Sequence, residues 1–385
     1  MRQSFLRIWS FPGTVVSRSL EYGPFNAILR KPALSTIAII GVAILLSFPS
    51  YDVALVLHEM DDNWNAIFLQ AKEPFVDHTK LYDPESHMAK LGFRFVPALL
   101  IRCLGISTIA EALVLQLALL FIFYVLLITF LRRNLSDKDQ ALLFALPIAL
   151  IISGHVYASD YRGIFDTLAL VFLLSAALLR RSKWVLPALL LAYFTDERAM
   201  LASTSLILLN SWSIGKSSSL KELMGSLVAP SNLPVLGSWV AYVSIRIVLA
   251  HTLGLTVTSV DLSHYFTENL VRITYAFYIG QEGVWILVIA LIYRLVRSGE
   301  HVFAVILGLN ILGFVLGSMT VVDINRSMSY ALVHTLLVLL MVDRYFPEKR
   351  KLELLGWAIV ISLVYGDFLP LPVQLYRMFF ITQTL

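Results

Sequence analysis

Residues 108–131 read TIAEALVLQLALLFIFYVLLITFL, with one acid, Glu111, near the start and Arg132-Arg133 directly after the end. A helix rises about 1.5 Å per residue, so a run of this length covers the hydrocarbon core of a bilayer, which needs about 20 apolar residues. The apolar residues are continuous and do not alternate in period two, which selects a helix over a barrel strand.

Working outward from this run, apolar stretches recur at about 34–51, 139–156, 164–179, 184–195, 199–213, 234–254, 281–297, 301–321, 328–343 and 353–371. The expectation is an all-α polytopic transmembrane helical bundle of about eleven spans. Composition agrees: 58% of the 385 residues are hydrophobic, 15% are charged and the mean hydropathy is +0.77. Soluble domains carry roughly 25% charge. Residues 1–33 hold Arg2, Arg7, Arg18, Arg30 and Lys31 among aromatic and aliphatic residues, without the order of regions of a cleavable signal, and read as a basic amphipathic surface segment. Residues 34–385 then form one transmembrane domain. The net charge of +4 is small and its cations lie in short clusters between apolar runs, so no nucleic-acid partner is implied. The one cysteine, Cys103, excludes an intramolecular disulfide and is expected to be a buried apolar filler.

Every second connection carries the Lys/Arg excess: Arg132, Arg133 and Lys138; Arg180, Arg181 and Lys183; Lys216 and Lys221; Arg294 and Arg297; Arg344, Lys349, Arg350 and Lys351. By the positive-inside rule these face the cytoplasm, as does the N-terminus. The 213–233 connection reads as a simple linker. The alternate connections mix acids, histidines and arginines with aromatic residues. The longest, 52–107, contains Tyr51-Asp52 at its entry, the run from His58 to Trp64 with Asp61-Asp62, and then Tyr82-Asp83-Pro84, His87, Lys90 and Arg94. Val53, Leu57, Met60, Trp64 and Phe68 share one helical face, so 52–70 is expected to be a helix lying in the interface, and a second helix is expected from about Ser86 to Leu104. The runs 184–195 and 199–213 are too short to cross squarely, so the Thr195-Asp196-Glu197-Arg198 turn between them is expected to sink into the bilayer, where ionisable groups usually face a protein-lined cavity.

Candidate chemistry concentrates in these outer connections. Asp52, Asp61 and Asp62 follow the first span; Asp160, Arg162 and Asp166 precede the fourth; Asp196, Glu197 and Arg198 form the sunken turn; Asp261, His264, Glu268, Arg272, Asp323, Asn325 and Arg326 come later. Carboxylates serve as general bases toward a hydroxyl, and arginine, lysine and histidine bind a departing phosphate. Outer cations run against the usual sorting bias, which an anionic ligand would explain for Lys90, Arg94, Arg162, Arg198 and Arg326. Plainer readings stand beside this one. The Asp160–Asp166 and Asp196–Arg198 groups are equally read as a salt-bridge network, Ser86 to Arg94 as a solvated helix face, and Asp61-Asp62 as a hydrated pair. His251, His301 and His334 have no acidic neighbours in sequence and are expected to be structural. No zinc spacing and no nucleophile elbow is present, and the acids would suit Mg²⁺ or Mn²⁺ only if they converged in space, so no metal site is expected.

The order and sidedness of these segments resemble the GT-C superfamily, the polytopic glycosyltransferases that take sugars from polyprenyl-phosphate carriers. The resemblance rests on the first outer loop from Tyr51-Asp52 through Asp61-Asp62 to Lys90 and Arg94, on Gly163-Ile164-Phe165-Asp166-Thr167, and on Phe194-Thr195-Asp196-Glu197-Arg198-Ala199, and covers roughly residues 34–345. It implies a GT-C-like bundle with juxtamembrane helices in the first extracytoplasmic loop, located in the cytoplasmic membrane of a bacterium with its active site outside. It implies inverting transfer from a polyprenyl-phosphate-sugar donor to a glycan or lipid-linked acceptor. Asp52, or Asp61 or Asp62 in its place, would be the base; His87, Lys90, Arg94, Arg198 and Arg326 would bind the carrier phosphate; Asp160, Arg162, Asp166, Asp196 and Glu197 would orient the acceptor or position those cations. No soluble C-terminal domain like that of better-known members is expected. Rival expectations are a transporter or flippase for a lipid-linked or anionic substrate, and a non-catalytic subunit of a glycan-assembly complex.

Overall fold

A computed structural model describes residues 28, 30–46, 61–82, 91–158, 160–215, 220–255, 262–321 and 323–365. All regular structure among them is helical, and each of the apolar stretches named above contains a helix. In chain order these are α1 (Pro32–Leu46), α2 (Asp61–Lys72), α3 (Phe95–Leu104), α4 (Ile109–Asn134), α5 (Ala141–Leu150), α6 (Asp166–Leu178), α7 (Val185–Tyr193), α8 (Arg198–Ser213), α9 (Leu220–Leu227), α10 (Leu233–Leu253), α11 (Leu262–Leu270), α12 (Ile273–Ile279), α13 (Val284–Arg297), α14 (His301–Ser318), α15 (Ile324–Ser329), α16 (Leu332–Tyr345) and α17 (Glu348–Tyr365).

Three of them, α4, α10 and α14, are long and apolar enough to cross a membrane by length and composition. The others are shorter or more charged.

Local chemistry sets the helix limits. Thr108 and Glu111 form a reciprocal capping box at the start of α4, Thr108 Oγ1 accepting from the Glu111 amide at 3.2 Å and Glu111 Oε2 from the Thr108 amide at 3.0 Å. Two otherwise orphaned amides are satisfied there. Gly254, at φ +64°, terminates α10. The core is centred on α16, buried continuously from Leu332 to Val342, and on α6, which packs between α4 and α7.

The helices collect two sets of connections at opposite ends. At one end Asn134 accepts from Arg180, Ser136 bonds to Asp343, Gln140 to Glu348, Tyr345 to Glu300, and Arg344 lies over the Trp212 ring. These are the Lys/Arg-rich connections. At the other end Arg94, Asp160–Asp166, Asp196–Arg198 and Asp323–Tyr330 meet.

Several local expectations change. The first-loop helix is seen over Asp61–Lys72, and residues 47–60 lie outside the described ones, as do 1–27 of the basic N-terminal segment. The helix that ends at Leu104 starts at Phe95, because Pro97 is suited to a first turn and Gly92-Phe93 forms a turn before it; residues 83–90 of the expected 86–104 helix lie outside the described ones. Arg94 is consequently not on a helix face; it caps α3 with φ −94° and ψ 54°. Cys103 is exposed and not a buried filler, since α3 buries Val96, Pro97, Ala98 and Ile101 and leaves Cys103 off that face. The 213–233 linker contains the helix α9.

Candidate functional site

The mixed-charge end is built from three connections that the fold pins individually. In the first, Gln116 on α4 reaches across with Nε2 to the carbonyls of Asp160 (2.7 Å) and Ile164 (3.0 Å). Trp64 on α2 donates from Nε1 to the Tyr161 carbonyl at 3.0 Å. Gly163 has φ +75° and lies against Asn63 and Trp64, where an added Cβ would come within 3.3 Å of the Asn63 Cβ. The positive φ and the close approach both select glycine. Asp160 then caps α6, its two carboxylate oxygens accepting from the Asp166 amide (3.2 Å) and the Thr167 amide (3.1 Å). The second connection is the α7–α8 turn, in which Thr195 and Asp196 are buried among protein atoms. Its Phe194 carbonyl accepts from the Val96 amide at 3.2 Å, and the Phe95 and Phe194 rings stack at 4.6 Å, which holds the start of α3 against it. The third is α15, capped by Asp323, whose side chain accepts from the Arg326 amide.

Asp166, 1% exposed, is the hub. Its Oδ1 accepts from Arg198 Nη2 (2.9 Å) and from the Tyr330 hydroxyl (2.9 Å), and its Oδ2 accepts from Arg326 Nε (2.6 Å). Arg198 also forks onto Asp196, with Nε to Oδ1 at 2.8 Å and Nη2 to Oδ2 at 2.7 Å, donates to Ser327, and lies 4.8 Å over the Tyr330 ring. Arg94 bridges Asp196 (2.9 Å) and Glu197 (2.8 and 3.2 Å). Planar guanidinium forks suit such bidentate contacts, and lysine would not replace them.

Arg326 is 8% exposed, and among the described residues its Nη2 is buried without a hydrogen-bond partner. Arg326, Arg94, Asp166 and Asp196 line a small cleft whose apolar wall includes Ile67, Leu91 and Phe165. Burial alone would raise the Asp196 carboxyl, but Arg198 and Arg94 outweigh it and hold the group well below the usual carboxylate range. A carboxylate so held is a poor proton acceptor; its work is to fix two guanidiniums. Burial works against the Arg94 charge, yet Asp196 and Glu197 raise its pKa above the ordinary arginine value. Burial pushes the Asp160 carboxyl up to about 8, Asp166 pushes the same way, and the hydrogen bonds from Thr167 oppose them.

Of the residues expected at the site, Arg94, Asp160, Asp166, Asp196, Glu197, Arg198 and Arg326 come together. Arg162 does not: its side chain is exposed and lies along the Tyr161 ring, with Nε donating to the phenol oxygen at 3.2 Å. Asp52, His87 and Lys90 lie outside the described residues, as does Asp261. Asp61 and Asp62 open α2, whose Asn63 is packed on Gly163 of the cleft wall. Among the described residues no group of three or more His, Cys, Asp or Glu is placed to hold a metal ion.

Sequence reading missed Tyr330, Gln116 and Arg246. Gln116 carried a signal, being the lone amide inside the 108–131 apolar run. Tyr330 carried none. Arg246 on α10 stacks over Phe93 (4.5 Å), next to Arg94 in sequence, and donates to the Tyr242 hydroxyl at 2.9 Å. No protein-family model, curated protein or solved structure matches the chain.

Proposed function

We propose that the chain is a multi-pass membrane glycosyltransferase with a GT-C-like bundle of about eleven spans. It moves a sugar from a polyprenyl-phosphate donor to a glycan or lipid-linked acceptor at the outer face of a bacterial cytoplasmic membrane. The observation that carries the reading is the unused, buried Nη2 of Arg326 at a cleft that also presents Arg94, a site whose free valence is for an anion. In the reaction the acceptor oxygen attacks the anomeric carbon, the carbon–oxygen bond to phosphate breaks, and the phosphate leaves with the electron pair toward Arg326 and Arg94. The base takes the acceptor proton, a step worth about 10²–10⁴-fold. That base comes from the first loop, with Asp52 preferred and Asp61 or Asp62 in its place; the packing of Asn63 on Gly163 supports the nearness of that loop to the cleft. Asp166, Asp196 and Glu197 hold the cations, and Arg246 on α10, beside Phe93, offers a further positive group.

The reading is tested with reconstituted protein and a polyprenyl-phosphate sugar. Wild type forms a new glycosidic bond and Asp52→Asn abolishes it while donor binding persists. Retained activity in Asp52→Asn with loss in Asp62→Asn moves the base and keeps the class.

A transporter for the same class of substrate is favoured by one observation. Polar groups recur along α8, from Arg198 through Ser205, bonded to Asn310 (2.7 Å) and through it to His334 (2.9 Å), to Asn210 bonded to Asn232 (2.9 Å). Movement of labelled lipid across sealed vesicles without a new glycosidic bond would establish that alternative.

A further inference from the structure

Acids accompany the cations in four of the five Lys/Arg-rich connections: Asp137 and Asp139 in the first, then Glu222, Glu300, and Asp343 with Glu348. Ion pairs follow, Arg132 with Asp139 at 3.6 Å and Lys351 with Asp343 at 2.8 Å. The α6–α7 connection, Leu179-Arg180-Arg181-Ser182-Lys183-Trp184, is different. It has no acid, and none occurs anywhere between Asp166 and Asp196 in sequence.

The fold does not bring one in from elsewhere. Among the described residues no carboxylate pairs with Arg180, Arg181 or Lys183. Arg180 Nη2 donates at 2.8 Å to the neutral side-chain oxygen of Asn134 on α4, and its guanidinium lies 6.0 Å from the centre of the Phe130 ring. Burial and the adjacent Arg181 both work against the Arg180 charge and lower its pKa. The side chains of Arg181 and Lys183 are exposed. The C-terminal dipole of α6 amounts to about half an elementary charge, so it does not balance three cations.

The turn is also fixed in shape. The Ser182 amide donates to the Leu179 carbonyl at 2.7 Å, the Val185 amide to the Ser182 carbonyl at 3.2 Å, and the Trp184 amide to Ser182 Oγ at 3.3 Å. Leu179, 38% exposed, and Trp184, 60% exposed, stand at its two ends, where the apolar helices α6 and α7 meet the cations. Tryptophan favours the boundary between lipid chains and water, and lysine or arginine beside it gains from negatively charged headgroups.

We propose that the α6–α7 turn binds the headgroup of an anionic phospholipid, of the phosphatidylglycerol type, in the leaflet on the Lys/Arg-rich side of the membrane. Arg181 and Lys183 reach the lipid phosphate, Arg180 adds positive field from a fixed position, and Leu179 and Trp184 lie against the start of the acyl chains. The site is at the opposite end of the bundle from the Asp166 network and does not depend on the transfer reaction.

The test is native mass spectrometry of the full chain in detergent, titrated with dioleoyl-phosphatidylglycerol or dioleoyl-phosphatidylcholine and read as occupancy by the first lipid. Phosphatidylglycerol binds saturably and more tightly than phosphatidylcholine. Arg181→Gln with Lys183→Gln weakens it about 25-fold, at about fivefold for each cation near an anionic headgroup, and each single variant weakens it about fivefold and serves if the double does not fold. Lys138→Gln with Lys349→Gln removes two exposed cations from the same end and leaves the affinity within about twofold. Equal binding of the two lipids, or of neither, overturns the inference. So does equal weakening by the two double variants, which would make the attraction one of net charge, and so does displacement of the lipid by millimolar inorganic phosphate, which would make the turn a site for a free anion.

Discussion

Asp166 carries two guanidiniums and a phenol on one buried carboxylate, so at the scale of single residues it is the position with most to lose. Asp166→Asn leaves Arg198 and Arg326 facing a neutral group in a buried site, and breaking such a pair costs about 3–5 kcal/mol. Chemical or thermal unfolding in detergent will show a loss of that order; a change within the scatter of surface substitutions would contradict the hub role. Asp160 gives a prediction with a sign. Its folded pKa of about 8 is above the ordinary carboxyl value, so the folded state holds a proton that the unfolded state releases. Its stabilising contribution is therefore fully present below the unfolded pKa and is lost as pH rises through 8. The melting temperature of wild type minus that of Asp160→Asn falls between pH 6 and pH 9, and a flat difference would place the proton elsewhere. Asp160, Asp166, Asp196, Arg198 and Arg326 were legible in the sequence because charge is conspicuous in an apolar chain. Tyr330 was not, since a phenol at a helix start is unremarkable until burial isolates it.

At the scale of elements, each apolar run located a helix but not its limits, and α9, α11 and α12 lie outside those runs. Length misled where punctuation was three-dimensional: α3 starts at Phe95 because a turn and Pro97 set it there, whereas the spacing of His87, Lys90 and Arg94 suggested an earlier start. The approach of α13 to α17 was equally invisible. Gly283 donates to Ser362 Oγ at 3.1 Å, and a Cβ there would stand 2.0 Å from the Ala358 carbonyl oxygen. That neighbour is backbone and cannot swing away. Gly283→Ala forces the two helices apart and destabilises by about 1–3 kcal/mol, the usual cost of overpacking. A folded variant with unchanged melting temperature would mean that the helices do not meet as closely as described.

Over the whole molecule, the alternation of Lys/Arg-rich and mixed-charge connections along the sequence becomes a division between two ends of one bundle. Hydrogen bonds such as Ser136–Asp343 and Gln140–Glu348 gather the first set, and the Asp166 network gathers the second. In a Cys103→Ser background, Lys138→Cys and Arg162→Cys are both exposed positions at opposite ends, and a membrane-impermeant maleimide will reach them from opposite sides of a sealed vesicle. Labelling of both from one side would undo the bundle's arrangement across a membrane. The sequence made this division readable because charge sorting operates loop by loop; it could not show that the acids at one end would be spent on holding arginines, which depends on contacts between residues as far apart as Arg94, Asp166 and Arg326. If those arginines bind an anion, titration of a short-chain polyprenyl phosphate against the full chain in nanodiscs, beside the uncharged polyprenol and an Arg326→Gln variant shown to fold, will show it. The expected result is saturable binding of the phosphate, none of the alcohol, and weakening of about tenfold or more in the variant. Equal binding of phosphate and alcohol, or binding unchanged by Arg326→Gln, would contradict it.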